Sequence, residues 1–187
     1  MNKLIKLIIF VCLLTVVIYF GSAKVAERLY PREYSDFVTA YCDEYGVDED
    51  YVYAVIKCES GFDPNAKSGV GALGLMQITP ETFDWVQTKL NGKAELADDA
   101  LYDPETNIRY GVYLLKLHLD EFGDPALASA AYHAGRGKVN SWLVDPDLKL
   151  DGDSIDEIPY GDTRTYVKRV IRTKKIYDKL YYGKEDK

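Results

Sequence analysis

Two regimes of hydrophobic patterning divide the chain. From Leu7 to Phe20 apolar residues follow one another almost without interruption, whereas beyond Tyr34 they recur three and four positions apart between glycines and prolines. That spacing is the signature of helices that bury one face. No stretch sustains the alternation of a strand, so the pattern predicts a mainly α fold. A first helix is predicted over about 35–45, stopped at Gly46. A second starts from Asp48 as N-cap, with Val47 and Val52 placed to staple its entry, and runs to near Gly61. Thr79-Pro80, Asp103-Pro104 and Asp124-Pro125 each set a capping side chain before a proline at the first helical position, which predicts three more helices. The longest carries Ile108, Val112, Leu115, Leu119 and Phe122 on one face before Gly123. A short helix near 138–143 and a last one over about 163–182, burying Val167, Val170, Ile171 and Tyr177, complete the set.

The N-terminal run belongs to a different environment. Lys3 and Lys6 precede it and Gly21, Ser22 and Ala23 follow it. With no polar face, it reads as an export segment, and the basic flank predicts a cytoplasmic N-terminus with everything after it outside. Leu4 to Ala23 is about the length that spans a bilayer, ~20 residues, with Lys6 able to snorkel and Tyr19 near the outer interface. A retained transmembrane anchor is the favoured expectation. The small residues also fit a cleavage site, which makes a removed signal peptide the alternative.

Composition narrows the partners. The chain has 187 residues and a formal charge of −7, with 30 acidic against 23 basic side chains, so the folded part repels nucleic acid rather than attracting it. Its 16 tyrosines suit a surface that grips ring-shaped polar ligands, although tyrosine fills cores as well. Cys12 lies in the apolar run, which leaves Cys42 and Cys58 either to pair in an oxidising compartment or to stay as free thiols. The acidic stretch with Asp145, Asp147, Asp151, Asp153, Asp156 and Glu157 fails the EF-hand template. Counting from Asp147, Lys149 and Ile158 stand where an acceptor and a bidentate glutamate are required, and a solvated loop is expected instead. No metal or organic cofactor is called for.

One carboxylate stands out. Val52, Val55, Ile56 and Glu59 follow the spacing i, i+3, i+4, i+7, so Glu59 shares the apolar face of the second helix and lies in its last turn. Burial and the negative end of the helix dipole both oppose ionisation there, and a carboxyl held protonated near neutral pH can act as a general acid. Asp63 and Glu81 sit beside Pro64 and Pro80, where turn and helix-start duties explain them, so no second carboxylate is marked.

Three motifs then occur in order. The first is Glu59-Ser60 followed by Gly74-Leu75-Met76-Gln77, the second Ala131-Tyr132-His133-Ala134-Gly135, and the third Ile158 to Val167, IPYGDTRTYV. Together they resemble the soluble lytic transglycosylase family, whose domain is a lysozyme-like helical fold. The resemblance implies an organisation of 1–23 as anchor or signal, 24–34 as linker, 35–182 as catalytic domain and 183–187 as tail. It also implies Glu59 as the acid and base, with Ser68, Met76 and Gln77 lining the cleft and Tyr132 and Tyr166 completing its floor. His133 stands where the family usually carries Asn, and Asp162 where it usually carries Glu. A histidine brings charge that changes near neutral pH. Asp162 keeps the charge with a shorter reach and suits a helix-capping role equally well. Arg164 is expected to hold loop carbonyls or an acidic partner.

The activity so implied is cleavage of the N-acetylmuramic acid to N-acetylglucosamine bond of peptidoglycan with formation of a 1,6-anhydromuramyl end, on the outer side of the membrane, with unidentified cell-wall or envelope machinery as the candidate partner. A hydrolytic muramidase on the same fold and a non-catalytic peptidoglycan-binding module are the competing readings.

Overall fold

A computed structural model describes residues 24–148, 150 and 155–183, together with Asn2, Phe10, Cys12 and Thr15. The expected membrane segment therefore lies almost wholly outside the described residues, as do Asp151, Asp153 and the tail beyond Gly183. Among the described residues no helix is long and apolar enough to cross a membrane. The chain forms two compact units, Met1–Arg32 and Glu33–Lys187. In the first, residues 24–29 are helical, inside the span read as a linker.

The second unit is built from seven α-helices among the described residues: α1 Ser35–Tyr45, α2 Glu49–Glu59, α3 Pro80–Asn91, α4 Pro104–Phe122, α5 Pro125–Ala134, α6 Arg136–Leu143 and α7 Gly161–Tyr177. A 3-10 turn, Asp98–Tyr102, leads into α4, another, Ile155–Glu157, precedes α7, and a π turn, Asp178–Tyr182, continues α7. Between α2 and α3 two isolated antiparallel bridges, Lys67 to Leu73 and Leu73 to Ile78, fold the chain into a compact loop.

The punctuation acts as the sequence suggested. The Thr79 side chain accepts from the Thr82 amide, that of Asp103 from the Thr106 amide, and that of Asp124 from the amides of Ala126 and Leu127; each proline follows at the first helical position. Gly46, Gly92 and Gly123 end α1, α3 and α4. Asp48 starts α2 from an extended backbone but accepts no capping bond through its side chain.

Helix α2 is the hub. Every residue from Asp50 to Ile56 is buried, so the helix is enclosed on all sides rather than along one stripe. Its most extensive partner is α7, while α4 packs on α5 and α1, and α5 on α7 and α6. Small buried residues of α5, Ala126, Ala128, Ser129, Ala130 and Ala131, let these helices approach closely. Buried Asp50 at the start of α2 meets the Lys174 ammonium of α7 at 2.9 Å. Breaking a buried pair of this kind typically costs about 3–5 kcal/mol, because one charge stays behind uncompensated. The α4 face is wider than expected. Ile108, Val112 and Leu115 are buried, but so are Asn107, Tyr110, Gly111, Leu114 and His118, whereas Leu119 and Phe122 are half-exposed.

Candidate active site

Glu59 is the last residue of α2 and half-buried. The enclosed helix delivers its carboxyl to the edge of the core. From α7 the Tyr166 hydroxyl donates to Glu59 Oε1 at 2.6 Å, and Oε2 has no hydrogen-bond partner among the described residues. Burial raises the Glu59 pKa above the ordinary carboxyl range, while the Tyr166 hydrogen bond and the Arg169 charge pull it the other way without cancelling the rise. Arg169 lies one turn beyond Tyr166. Its guanidinium lies 5.7 Å from the centre of that ring and donates to the Cys58 carbonyl at 3.1 Å, so it also serves one of the orphan acceptors at the end of α2.

The chain leaves Glu59 through a tight reversal. Gly61 and Phe62 both take positive φ, 63° and 75°, and for a bulky buried residue such as Phe62 that is strained backbone. Ser60 holds the turn: its hydroxyl accepts from the Phe62 amide at 3.1 Å and donates to the Leu75 carbonyl at 2.8 Å. The helix end is thereby tied to the Gly74-Leu75-Met76-Gln77 segment.

That segment is anchored from beneath by Asn107 of α4, which is fully buried. Its side chain accepts from the Met76 amide at 2.8 Å and donates to the Leu73 and Leu101 carbonyls at 3.0 and 2.8 Å. Gly74, with φ 72°, fits against it with no room to spare; a Cβ there would come within 2.2 Å of both Asn107 Nδ2 and the Leu101 carbonyl oxygen. Met76, expected to offer an apolar cleft wall, is instead fully buried with its sulfur against Gly111. Its contribution is its carbonyl, which accepts from the Tyr132 hydroxyl at 2.6 Å. Gln77 takes positive φ, 50°, and its amide nitrogen donates to the carbonyls of Ala66 and Gly74 at 3.1 and 2.9 Å, bracing the loop. Ser68 closes the same loop, its hydroxyl accepting from the Ala72 amide at 3.0 Å.

Tyr132 and His133 come from the last turn of α5. Burial first, and the Glu59 charge second, hold both the Tyr132 and the Tyr166 phenols well above their ordinary pKa, so both are neutral donors. The His133 ring stacks on Tyr166 with centroids 4.6 Å apart, and its Nδ1 lies 3.2 Å from the Thr163 hydroxyl. Loss of hydration pushes His133 below its ordinary pKa, and Lys138 and Arg169 act in the same direction against Asp162, so the ring is neutral at pH 7. Asp162 is exposed in the first turn of α7 and accepts from the Thr163 amide at 2.8 Å rather than acting as the N-cap, a position held by Tyr160. Arg164 donates to the Ile158 carbonyl at 3.0 Å. Asp63 accepts from the Asn65 amide at 2.9 Å, as an Asx turn does.

Glu59, Tyr166 and His133 are thus linked by direct contacts, and Tyr132, next to His133 in the chain, holds the Met76 carbonyl, whereas Ser68, Gln77 and Asp162 bond to the backbone of their own segments. Sequence reading missed Asn107 and Arg169. A signal for the first exists, since Asn107, Gly111, Leu114 and His118 form a buried stripe at helical spacing with an amide at its head. Cys42 and Cys58 are free thiols, and burial raises both pKa values. Among the described residues no group of His, Cys, Asp or Glu side chains is arranged to hold a metal ion.

A helical domain that presents, at the end of its central helix, a carboxyl whose pKa is raised by burial and whose one oxygen is fixed by a phenol has the equipment for proton transfer. The Transglycosylase SLT domain matches residues 36–150, and the chain belongs to that family. It is 36% identical over 157 residues to the soluble lytic murein transglycosylase of Salmonella typhimurium, covering 83% of this chain and 24% of that protein. The membrane-bound lytic murein transglycosylase C of Haemophilus influenzae is 32% identical over 150 residues, 75% of this chain and 40% of that one. The crystal structure of the 70-kDa soluble lytic transglycosylase of Escherichia coli superimposes with a TM-score of 0.77 at 34% identity, over 83% of this chain and 25% of that chain. The chain therefore spans between about a quarter and two fifths of the length of these relatives. The likeness establishes the lysozyme-like helical fold.

Proposed function

We propose that this chain is a peptidoglycan lytic transglycosylase in which Glu59 serves in turn as acid and base. The observation that carries the reading is a half-buried carboxyl held above its ordinary pKa, with one oxygen fixed by Tyr166 at 2.6 Å and the other free for substrate. Glu59 gives its proton to the oxygen bridging N-acetylmuramic acid to N-acetylglucosamine, and the C1–O bond breaks. The 2-acetamido oxygen of the muramyl sugar stabilises the cationic centre at C1, which makes a second carboxylate unnecessary. The Glu59 carboxylate then takes the proton of the sugar's own C6 hydroxyl as O6 bonds to C1, closing a 1,6-anhydro ring and restoring the acid. Attack within one sugar carries a large effective-molarity advantage, so water need not be recruited. Tyr166 stabilises the carboxylate between the two proton transfers and keeps it aimed. The neutral His133 fits the role of a donor along the cleft, while Tyr132, whose proton goes to the Met76 carbonyl, supports it from beneath and Ser68, Gln77 and Asp162 shape its walls.

The two names carried by the relatives, soluble and membrane-bound, are both compatible with action on the cell wall. For this chain the basic flank and the apolar run up to Ala23 support a single-pass anchor with the domain outside; a mature N-terminus at or near Lys24 refutes that part.

The test is muropeptide release from purified sacculi by wild type and Glu59→Gln. The amide neither gives nor takes the proton, so the rate falls by at least about 10⁴-fold, the upper end for positioned acid-base catalysis with one residue in both roles. The variant also melts higher than wild type above neutral pH, where the raised Glu59 pKa costs the wild type stability, and the two converge in acid. Products ending in reducing sugars identify a hydrolase instead, and binding without any product identifies a non-catalytic module.

A further inference from the structure

Tyr160 is one of the few large side chains left in solvent, 46% exposed, and it is held in place. Buried Trp142 of α6 meets its ring nearly at right angles, 83°, with centroids 5.3 Å apart. The Lys138 ammonium stands 5.2 Å from the centre of the same ring. Tyr160 is the N-cap residue of α7, three positions before Thr163, whose hydroxyl meets His133. Lys138 lies five positions after His133, on α6, and its charge is felt at the His133 ring. The pair therefore adjoins the Glu59 site without touching it.

Among the described residues Lys138, like Lys89 over Trp85, is a lysine that faces an aromatic ring. Lys93, Lys116, Lys168 and Lys174 each meet a carboxylate, whereas Lys138, in a chain with 30 acidic residues, has an aromatic face and no carboxylate among the described residues. An exposed cation–π contact is weak, and a charge-assisted hydrogen bond to a carboxylate is stronger. An incoming carboxylate therefore draws the ammonium off the ring and leaves the aromatic face open beside it. We propose that Tyr160 and Lys138 form a binding subsite for the muramyl substituent of the glycan strand: the Tyr160 ring supports the sugar or its acyl arm, and Lys138 pairs with a carboxylate carried on the 3-O-lactyl group. That carboxylate is either the lactyl group's own or one of an attached peptide. The subsite rests on the reading of this chain as a peptidoglycan enzyme and adds the feature that separates muramyl strands from uncharged chitin-like ones.

The experiment uses the full chain carrying Glu59→Gln to prevent turnover, with three ligands: glycan strands bearing stem peptides, strands stripped of peptide and so ending in free lactyl carboxylates, and chito-oligosaccharide of matched length. Adding Lys138→Met weakens binding of a carboxylate-bearing strand about tenfold and leaves chito-oligosaccharide unchanged. Lys138→Arg restores the charged-strand affinity, and Tyr160→Leu weakens all three ligands. A loss confined to peptide-bearing strands assigns the carboxylate to the peptide, and one confined to stripped strands assigns it to the lactyl group; either supports the subsite. Equal affinities for Lys138→Met and its parent, or an equal loss on the uncharged ligand, overturn it while wild-type cleavage of sacculi still stands. Absence of binding to every ligand, with no cleavage by wild type, overturns the enzymatic reading together with the subsite.

Discussion

Asn107 supplies the sharpest test of how the site is held. Its side chain makes three buried hydrogen bonds, to the Met76 amide and to the Leu73 and Leu101 carbonyls. Replacement by alanine does not orphan all three, because the Leu73 carbonyl also accepts from the Ile78 amide at 3.1 Å. The Met76 amide and the Leu101 carbonyl lose their Asn107 partner. A buried polar group left without a partner costs about 1–3 kcal/mol, so Asn107→Ala is expected to destabilise by about 4 kcal/mol, a large share of the ~5–15 kcal/mol that holds a domain together. At about 2–4 °C per kcal/mol for a domain of this size, the melting temperature falls by roughly 10 °C. Asn107→Leu, which leaves no cavity but puts methyl groups where hydrogen bonds of 2.8–3.0 Å were made, loses at least as much, which shows that the cost lies in the stranded backbone and not in a void. Urea unfolding followed by circular dichroism measures both. At a temperature where the variants remain folded, activity drops as well, since the Met76 carbonyl that Asn107 positions is the acceptor for Tyr132. A loss below about 1 kcal/mol for Asn107→Ala with an unchanged urea slope refutes the argument that this amide pins the loop.

Gly74→Ala forces a Cβ to within 2.2 Å of two polar atoms at a residue with φ 72°, and a loss of at least about 3 kcal/mol is expected, read as a fall in the urea midpoint. His118, buried against Tyr132 and Phe122, has its pKa pushed down to about 4 by burial. Between pH ~6.5 and ~4 the unfolded chain therefore binds a proton that the native state refuses, and stability drops by up to about 3 kcal/mol as the pH falls through that window. His118→Phe flattens that part of a stability-versus-pH curve; an unchanged curve refutes the assignment. His133 is also lowered, so His133→Asn changes the activity profile only on its acid limb, below about pH 6.5, and a shift of the alkaline limb counts against its neutral state.

The helical frame was legible because its punctuation is local. Three Asp-Pro or Thr-Pro pairs and the glycines at 46 and 123 decide helix ends by capping and by backbone freedom, and neither depends on what packs nearby. Glu59 was legible for a related reason, since its place at a buried helix end follows from spacing alone. The roles of the surrounding residues were not. Whether Met76 presents its side chain or its carbonyl depends on Gly111, thirty-five positions away, and the enclosure of α2 on every side depends on α5 and α7 arriving over it. Asn107 was hidden because an amide on an apolar stripe looks like a flaw until the loop that uses its three bonds is folded above it. Tyr166 and Arg169 meet the end of α2 only once α7 crosses it.

The crossing of α2 and α7 also works as a gauge of length. The helices run antiparallel, and they are fastened at two points, Asp50 to Lys174 near one end and Glu59 to Tyr166 at the other. At 1.5 Å per residue the two intervals along the helices measure roughly 13 and 12 Å, so the two fastenings match only in one register. A residue inserted between Asp50 and Glu59 rotates the carboxyl by about 100° around the α2 axis and takes it off Tyr166 while the ion pair stays closed. The charged pair, far from the chemistry, thereby sets the zero of the scale on which the position of the acid is measured.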